Sequence, residues 1–177
     1  MITTPDNKYL FAGVGDDSGN LKQICLESQK VVHHYKKIHR DEILCLETTR
    51  DCKYLITGGK ESRVRRILIE NRTVEKDFLR VCDGGLTAMK ISADQEQLFI
   101  GDHRGNLKLM SLTCGKTIKD FGQIHFSWIS GIGTTADEKF FFTTSHDGDL
   151  KQWHYENKTL VTDHGSPGLY RDNSFCL

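Results

Sequence analysis

Three side chains toward the C-terminal end of the sequence have the chemistry of a hydrolytic triad. Thr143 supplies a hydroxyl, His125 a general base and Asp147 a carboxylate that would orient the base. A nucleophile needs an open face toward its substrate, but Thr143 lies within the β-rich run Phe140–Ser145, FFFTTS, where the trio would be buried between strands. We therefore interpret these residues as a structural group and predict that the chain is not an enzyme.

Three further motifs carry weaker chemical signals. Gly115-Lys116-Thr117 resembles the end of a phosphate-binding loop, but Met110 stands where that motif needs its first glycine. Gly13-Val14-Gly15 follows a strand, as in a dinucleotide-binding fingerprint, but no helix comes after it. Residues 16–20, DDSGN, lack the alternating ligands and distal glutamate of a calcium loop. We predict no cofactor and no metal.

The charge pattern disfavours nucleic acids and membranes as partners. The 24 Lys and Arg residues balance 24 Asp and Glu residues, so no bulk field attracts a polyanion. The densest basic cluster, Arg63, Arg65 and Arg66, fits a solvated strand edge better than a phosphate-binding patch. The sequence shows neither a signal peptide nor a run of ~18 apolar residues.

The cysteines indicate a reducing compartment. None of the six forms a CxxC motif, and their scatter fits small buried hydrophobic residues better than a disulfide framework or a zinc site. We therefore expect a cytoplasmic location.

A repeat organises the chain and positions the residues above. Gly148, Gly105, Ser62 and Gly19 succeed one another at steps of 43 residues (148−105, 105−62, 62−19). Each copy contains four short β-rich runs, here called strands A to D, separated by turn residues such as the Asp-Gly of residues 147–148. A period in the forties without helical spacers predicts stacked four-stranded sheets, that is, an all-β propeller.

The repeat defines the predicted domain organisation. We expect one domain over residues 1–177, with copies at about 1–39, 40–82, 83–125 and 126–165 and then the start of a fifth strand A. An aspartate opens each A–B turn, where its side chain can accept a hydrogen bond from the backbone two residues on. These residues are Asp6, Asp51, Asp94 and Asp137.

The fourth copy resembles the tryptophan–aspartate (WD) repeat of the WD-repeat β-propellers. In that family a loop histidine, a strand B hydroxyl, a B–C turn aspartate and a strand C tryptophan form a hydrogen-bonded tetrad. The matching residues here are His125, Thr143, Asp147 and Trp153. A buried indole N–H needs an acceptor, so an incomplete network would cost ~1–3 kcal/mol for each unpaired group.

The other copies match the tetrad less well. The second has His39, Thr57 and Glu61, with Ile67 in place of the tryptophan. The third has Cys82, Arg104 and Met110 at the corresponding places, and strand C of the first ends with Ile24. Packing is therefore expected to hold the first and third copies together.

The resemblance implies a non-catalytic scaffold that binds protein or peptide partners through propeller loops. In such propellers the loops that lead into strand A line one end of the central channel and commonly bind partners. Trp128 is the first choice for an anchor, because tryptophan and arginine are enriched at binding hot spots; the alternative is that Trp128 caps the end of the core. The other candidate partner-binding residues are Arg40, Asp41, Tyr170 and Arg171.

Two alternatives to the scaffold and two ways of completing the ring remain open. A hydrolase-like enzyme with its site in the channel mouth, or an RNA-binding propeller, would use the same loops. Four blades left open would expose an apolar flank at each end. We therefore expect either a segment of a longer propeller or self-association of two copies to close the ring.

Overall fold

The computed structural model describes residues 1–14, 18–135 and 137–165. These residues form sixteen β-strands in four antiparallel sheets of four strands each, with sequential strand order in every sheet. The all-β, four-bladed architecture predicted from the repeat is confirmed. The predicted fifth strand A, which includes Phe175, lies outside the described residues. None of the described residues forms a helix of the length and apolarity that crossing a bilayer requires.

Each blade begins with an inner strand A and ends with an outer strand D. Blade 1 contains β1 to β4, at Ile2–Thr3, Tyr9–Gly13, Leu21–Cys25 and Lys30–Tyr35. Blade 2 contains β5 to β8, at Ile43–Thr48, Tyr54–Gly59, Arg63–Leu68 and Thr73–Phe78. Blade 3 contains β9 to β12, at Leu86–Ile91, Gln97–Asp102, Asn106–Ser111 and Thr117–Gln123. Blade 4 contains β13 to β16, at Ile129–Thr134, Phe140–Ser145, Leu150–His154 and Leu160–Asp163.

The strands A of successive blades lie next to one another, β1 beside β5, β5 beside β9 and β9 beside β13. Polar side chains join them across blades. The Thr87 hydroxyl donates to the Ile129 carbonyl at 2.7 Å. The Lys90 Nζ lies 3.4 Å from the Glu47 carboxylate, where burial raises the pKa of Glu47 against the opposing pull of Lys90. The strands A therefore form a continuous inner wall.

The hydrophobic core lies between blades. The third residue of each strand B faces the following blade, and in the first three blades this residue is fully buried. Phe11 shares a cluster with Leu55 and Ile67 of blade 2, as Ile56 does with Leu98 and Met110 of blade 3 and Phe99 with Phe141 and Trp153 of blade 4. Each fully buried side chain of this size contributes about 1.5–3 kcal/mol.

The two outer blades each have one face without such a neighbour among the described residues. Leu10 and Ile24 of blade 1 correspond to the buried pair Leu55 and Ile67, yet both are only half-buried. Phe142 of blade 4 corresponds to Phe99 and is also half-buried. The packing expected to hold the first copy together therefore relies on the buried Leu21 more than on Ile24, because no blade of the described structure adjoins the face that carries Ile24.

The turns between strands A and B repeat one hydrogen-bonded motif. Each of the four aspartates accepts the backbone N–H two residues on, from Lys8, Lys53, Glu96 and Lys139, at distances of 3.0, 3.0, 2.9 and 3.2 Å. A hydroxyl two residues before the aspartate donates to the same carboxylate, from Thr4, Thr49, Ser92 and Thr135. These hydroxyls lower the pKa of Asp6, Asp51 and Asp137. The repeated hydroxyl is a signal that the sequence reading missed.

Candidate functional site

The fourth blade brings together three of the four tetrad side chains by direct hydrogen bonds. His125 Nε2 lies 2.9 Å from the Thr143 hydroxyl oxygen, and the Trp153 indole N–H donates to that same oxygen at 3.1 Å. All three side chains are buried. Strands β14 and β15 pair Phe141 with Trp153, which places the indole next to the Thr143 side of the sheet. The Phe141 and Trp153 rings stack with centroids 5.8 Å apart.

Asp147 lies at the fourth tetrad position, but its carboxylate accepts its hydrogen bonds from the backbone of the neighbouring loop and turn. Its Oδ2 lies 3.3 Å from His125 Nδ1, a contact whose geometry leaves the buried Nδ1 without a hydrogen bond among the described residues. The same Oδ2 accepts the Phe126 backbone N–H at 2.8 Å, and Oδ1 accepts that of Asp149 at 3.0 Å. The carboxylate therefore holds two backbone segments as well as facing the imidazole.

The pKa values of His125 and Asp147 are both lowered, but for different physical reasons. Burial lowers the pKa of His125, against the opposing pull of Asp147. Burial on its own would raise the pKa of Asp147, but the N–H groups of Asp149 and Phe126, with His125, outweigh it and lower that pKa. The histidine is thus neutral and the aspartate ionised at pH 7.

The second blade carries a similar group without the tryptophan. His39 Nε2 lies 2.8 Å from the Thr57 hydroxyl, and Nδ1 lies 2.9 Å from Glu61 Oε1. Burial lowers the pKa of His39, against the opposing pull of Glu61. Glu61 Oε1 also accepts the Arg40 N–H at 3.1 Å, just as Asp147 accepts that of Phe126. The glutamate is one methylene longer than aspartate, and its Oε1 lies nearer the imidazole.

The third blade uses an acid that the sequence reading missed. Asp102 ends strand β10 and is buried, and its Oδ1 accepts the N–H groups of Arg104 and Asn106, both at 2.9 Å. The Asn106 side-chain amide donates to the other oxygen at 2.9 Å. Asp102 lies two residues before Arg104, which occupies the acid position of the other copies. A comparison by fixed period alone therefore could not find it.

The trio of His125, Thr143 and Asp147 does not form an accessible nucleophilic site. The Thr143 hydroxyl is fully buried and already accepts the indole N–H of Trp153. A hydroxyl that accepts from the indole satisfies itself best by donating to His125 Nε2, which leaves the imidazole proton on Nδ1. That proton also weighs against a cation at the point where His125, Asp147 and Asp149 approach within 4.8 Å of one another.

The loop before strand β13 presents aromatic side chains at one end of the blades. We call the end that carries the loops into strands A and the B–C turns the top face, and the other end the bottom face. The loop 126–128 is fixed at all three residues. Asp147 accepts the Phe126 N–H, the Ser145 hydroxyl donates to the Ser127 carbonyl at 3.2 Å, and the His146 N–H donates to the Trp128 carbonyl at 3.1 Å.

Trp128 lies between two imidazoles. Its ring makes edge-to-face contacts with His103, at a centroid distance of 5.1 Å, and with His146, at 4.8 Å. The side chain remains 36% exposed, so it is partly available to a partner. Phe126, which lies two residues earlier, is 90% exposed. The prediction from the sequence chose Trp128 as the anchor and did not single out Phe126.

The remaining candidate residues lie away from this aromatic pair or outside the described structure. Arg40 and Asp41 belong to the loop before strand β5, on the same face but two blades away. The Asp41 carboxylate accepts the Glu42 N–H at 2.8 Å. Tyr170 and Arg171 lie outside the described residues, as do Asp16 and Asp17 of the weighed calcium loop.

The arginine cluster is neutralised within blade 2. Arg65 donates to the Asp77 carboxylate at 2.9 Å, and Arg63 lies 3.6 Å from the same group. Arg66 donates to Glu75 at 3.0 Å. These pairs join strands β7 and β8, so the arginines serve the outer strand pair, and the phosphate-binding alternative has no support here.

Comparison with known proteins identifies the fold. The family model described as "WD domain, G-beta repeat" matches residues 114–154, which contain the whole tetrad. The chain has the fold of a WD-repeat β-propeller. The solved structure of U3-55K resembles this chain with a TM-score of 0.78 and 15% sequence identity, over 90% of this chain and 49% of that one. The chain therefore spans about half the length of that neighbour, and no curated protein sequence matches it.

These WD-repeat similarities apply unequally along the chain. The matched range runs from the end of the third copy through strand C of the fourth and contains the full set of tetrad residues, whereas residues 1–113 lie before it. The structural likeness covers nearly the whole chain, but at this low identity it establishes the fold alone. Partners must therefore be inferred from the surface of this chain itself.

The hydroxyl of Thr143 should contribute more than that of Thr57. Replacing Thr143 with valine keeps the shape but leaves two buried groups unpaired, the Trp153 N–H and His125 Nε2. Replacing Thr57 with valine leaves only His39 Nε2 unpaired. We expect losses in the free energy of unfolding of ~2–5 and ~1–3 kcal/mol, measured by urea denaturation. Equal losses would show that the indole hydrogen bond contributes nothing.

Mild acid should destabilise the protein through its two buried histidines. Burial lowers the pKa of His39 and His125 in the folded state, so below about pH 6.5 the unfolded chain binds more protons. The free energy of unfolding should therefore fall between pH 7.5 and 5.5, by up to about 1.4 kcal/mol per pH unit for each histidine.

Urea denaturation at several pH values would test this dependence. Replacing both histidines with glutamine should reduce the slope in that window, and the remaining slope reflects other shifted groups such as His33, whose pKa burial lowers, and Glu47, whose pKa burial raises. His34, which is exposed, provides the matched control, and His34→Gln should leave the slope unchanged. An unchanged slope in the double variant would contradict the assignment.

Proposed function

We propose that this chain is a non-catalytic platform that binds protein or peptide partners through its top face. WD-repeat propellers commonly serve as protein-interaction scaffolds and are typically non-catalytic. The observation that supports this role most directly is the fixed loop 126–128, which presents Phe126 and part of Trp128 to solvent. A large apolar side chain exposed on a rigid loop is typical of a binding anchor.

The fixed geometry of the loop 126–128 favours binding, because little conformational entropy of the loop is lost when a partner binds. Three hydrogen bonds from the turn 145–147 hold the three loop residues, and two imidazoles hold the Trp128 ring. A partner that covers Phe126 therefore gains apolar burial without ordering the loop. The tetrad acid links the blade interior to this surface, since Asp147 faces His125 and also accepts the Phe126 N–H.

We also propose a cytoplasmic location. Cys45 and Cys82 are buried in the core cluster between blades 2 and 3, where they act as small hydrophobic residues. Burial raises the pKa of Cys45 to about 12, so its thiol is unreactive. Such use of cysteine suits a reducing compartment.

Affinity capture with quantitative mass spectrometry would test the platform. Phe126→Ala and Trp128→Ala should each reduce recovery of specific partners about tenfold or more. The matched control is Ile118→Ala, because Ile118 is a 52% exposed apolar residue on outer strand β12. Loss of partners from the Ile118 variant but not from the loop variants would move the binding surface to the outer strands.

We further propose that the half-buried outer faces associate with other blades, and that isolated copies of this chain pair with each other. Phe142 belongs to the same kind of face as Phe99, and Leu10 and Ile24 to the same kind as Leu55 and Ile67. The face of blade 4 that carries Phe142 therefore matches the face of blade 1 that carries Leu10 and Ile24, in the same way that neighbouring blades match within the chain.

Sedimentation velocity over a range of concentrations would test this association. We expect species larger than one chain at micromolar concentrations, and Phe142→Asp should shift them toward the monomer. Ile118→Asp, on the outer strand, should leave the distribution unchanged. A purely monomeric wild type would contradict self-association.

A further inference from the structure

On the top face, the carboxylates lie deeper than the cationic side chains. The carboxylates of Asp41, Glu61 and Asp147 are half-buried and accept backbone N–H groups of their own loops. The cationic side chains in the same loops point outward instead. The exposed cations are Lys36, Lys37, Arg40, Lys60, Arg80 and Arg104, and the one exposed carboxylate within the described top-face loops is Asp83. The fully exposed charges at this end are therefore mostly cationic, whereas the half-buried carboxylates, which include Glu42 beside Lys60, lie deeper.

Three arginines of this face are free to bind a ligand. Arg40, Arg80 and Arg104 are exposed, and no carboxylate in the described part of the chain pairs with their guanidinium groups. The arginines of blade 2 differ, because Arg65 and Arg66 are both paired with carboxylates of strand β8. Free arginines on a rigid scaffold are suited to bind carboxylates in bidentate geometry.

The same backbone hydrogen bond positions an exposed arginine on one blade and an exposed phenylalanine on another. Arg40 and Phe126 lie two periods apart (126−40 = 86). Each donates its backbone N–H to the acid of the B–C turn in its own blade, Arg40 to Glu61 at 3.1 Å and Phe126 to Asp147 at 2.8 Å. Both side chains are exposed. The hydrogen-bond network that stabilises each blade therefore also fixes the backbone from which the Arg40 and Phe126 side chains project.

Arg104 lies between these two points, on blade 3. It occupies the position that holds an acid in blades 2 and 4, and it follows His103, whose ring contacts Trp128. The adjoining Gly105 approaches the backbone of the loop 125–127, because a Cβ there would lie 2.1 Å from the His125 carbonyl oxygen. The backbone next to Arg104 therefore adjoins the loop that carries Phe126, and the Arg104 side chain extends across Gly84, where an added Cβ would lie 2.9 Å from its Cγ.

We propose that the top face of blades 2 to 4 binds an acidic peptide segment that carries an apolar anchor residue. The anchor covers Phe126 and the exposed part of Trp128, and the flanking carboxylates pair with Arg104 and Arg40. This inference rests on the proposed platform function and adds the chemistry of the partner. The geometry fits single-stranded RNA less well, because such ligands use successive stacking rings, whereas one ring here is freely presented.

Selection from a phage-displayed library of random peptides would test the proposal. The whole chain serves as bait, beside the variants Arg40→Glu/Arg104→Glu, Phe126→Ser and Lys116→Glu. Lys116 is exposed on the bottom face, so its variant makes the same kind of charge change away from the site. The best peptide and a single-stranded RNA oligonucleotide are then titrated by fluorescence anisotropy, and circular dichroism checks that each variant is folded.

The wild type and Lys116→Glu should enrich peptides with net negative charge and at least one aromatic or large aliphatic residue. The double arginine variant should weaken the best peptide about tenfold or more, and its own selection should shift toward basic peptides. Phe126→Ser should remove the apolar requirement. Raising the salt concentration should weaken binding of the acidic peptide.

Other results would overturn the inference in distinguishable ways. Enriched peptides that depend on Phe126 but show no acidic bias would refute the charge preference and leave the platform standing. Failure to enrich any peptide, or enrichment that is indifferent to both sets of variants, would refute the platform as well. Tighter binding of the RNA than of the best peptide would replace the acidic peptide with a nucleic acid.

Discussion

The structure depends on apolar contact between neighbouring blades. A four-stranded sheet buries little by itself, and here the fully buried residues Phe11, Ile56 and Phe99 each pack into the following sheet. The Phe99 and Phe141 rings, with centroids 4.7 Å apart, show how close this contact is. Because each blade is stabilised by the next, the polar groups at the ends of the sheets are free to serve loops and surfaces.

The hydrogen-bonded tetrad has a secondary but more specific role. Blade 4 has the indole, hydroxyl and imidazole in one buried chain, blade 2 has a shorter version, and blade 3 replaces it with Asp102. In all three blades, a carboxylate accepts a hydrogen bond from the backbone of a top-face loop or turn and so holds it in place. Interior stability and surface presentation are thus physically coupled through the acid.

This coupling explains why charge is arranged unevenly although the chain is neutral overall. On the top face the carboxylates that accept loop N–H groups are half-buried, whereas the guanidinium groups of Arg40, Arg80 and Arg104 remain in solvent. The bottom face has no such bias, because its exposed turns carry side chains of both signs, such as Asp51 and Lys53. An exposed layer of mostly cationic side chains beside an aromatic anchor therefore arises from loop architecture and not from composition.

Some elements could be predicted from the sequence because they depend on local chemistry repeated at a fixed period. The step of 43 residues defined four blades, and the turn aspartates form the expected local hydrogen bonds. Other features depend on neighbours in space. Asp102 escaped notice because it lies two residues out of register. Ile24 has the right residue type, but the described structure places no blade against it.

The sequence by itself determined the fold class and the number of blades, because β-strand alternation and turn chemistry are local properties, and its resemblance to the WD-repeat family supplied the residues of the fourth-blade tetrad. Only the tertiary structure decided which polar groups are buried and which are exposed to solvent. Asp147 and Arg104 occupy the same place in the repeat, but burial directs one toward backbone N–H groups and leaves the other in solvent. Exposure depends on what packs nearby, and spacing along the chain does not encode it.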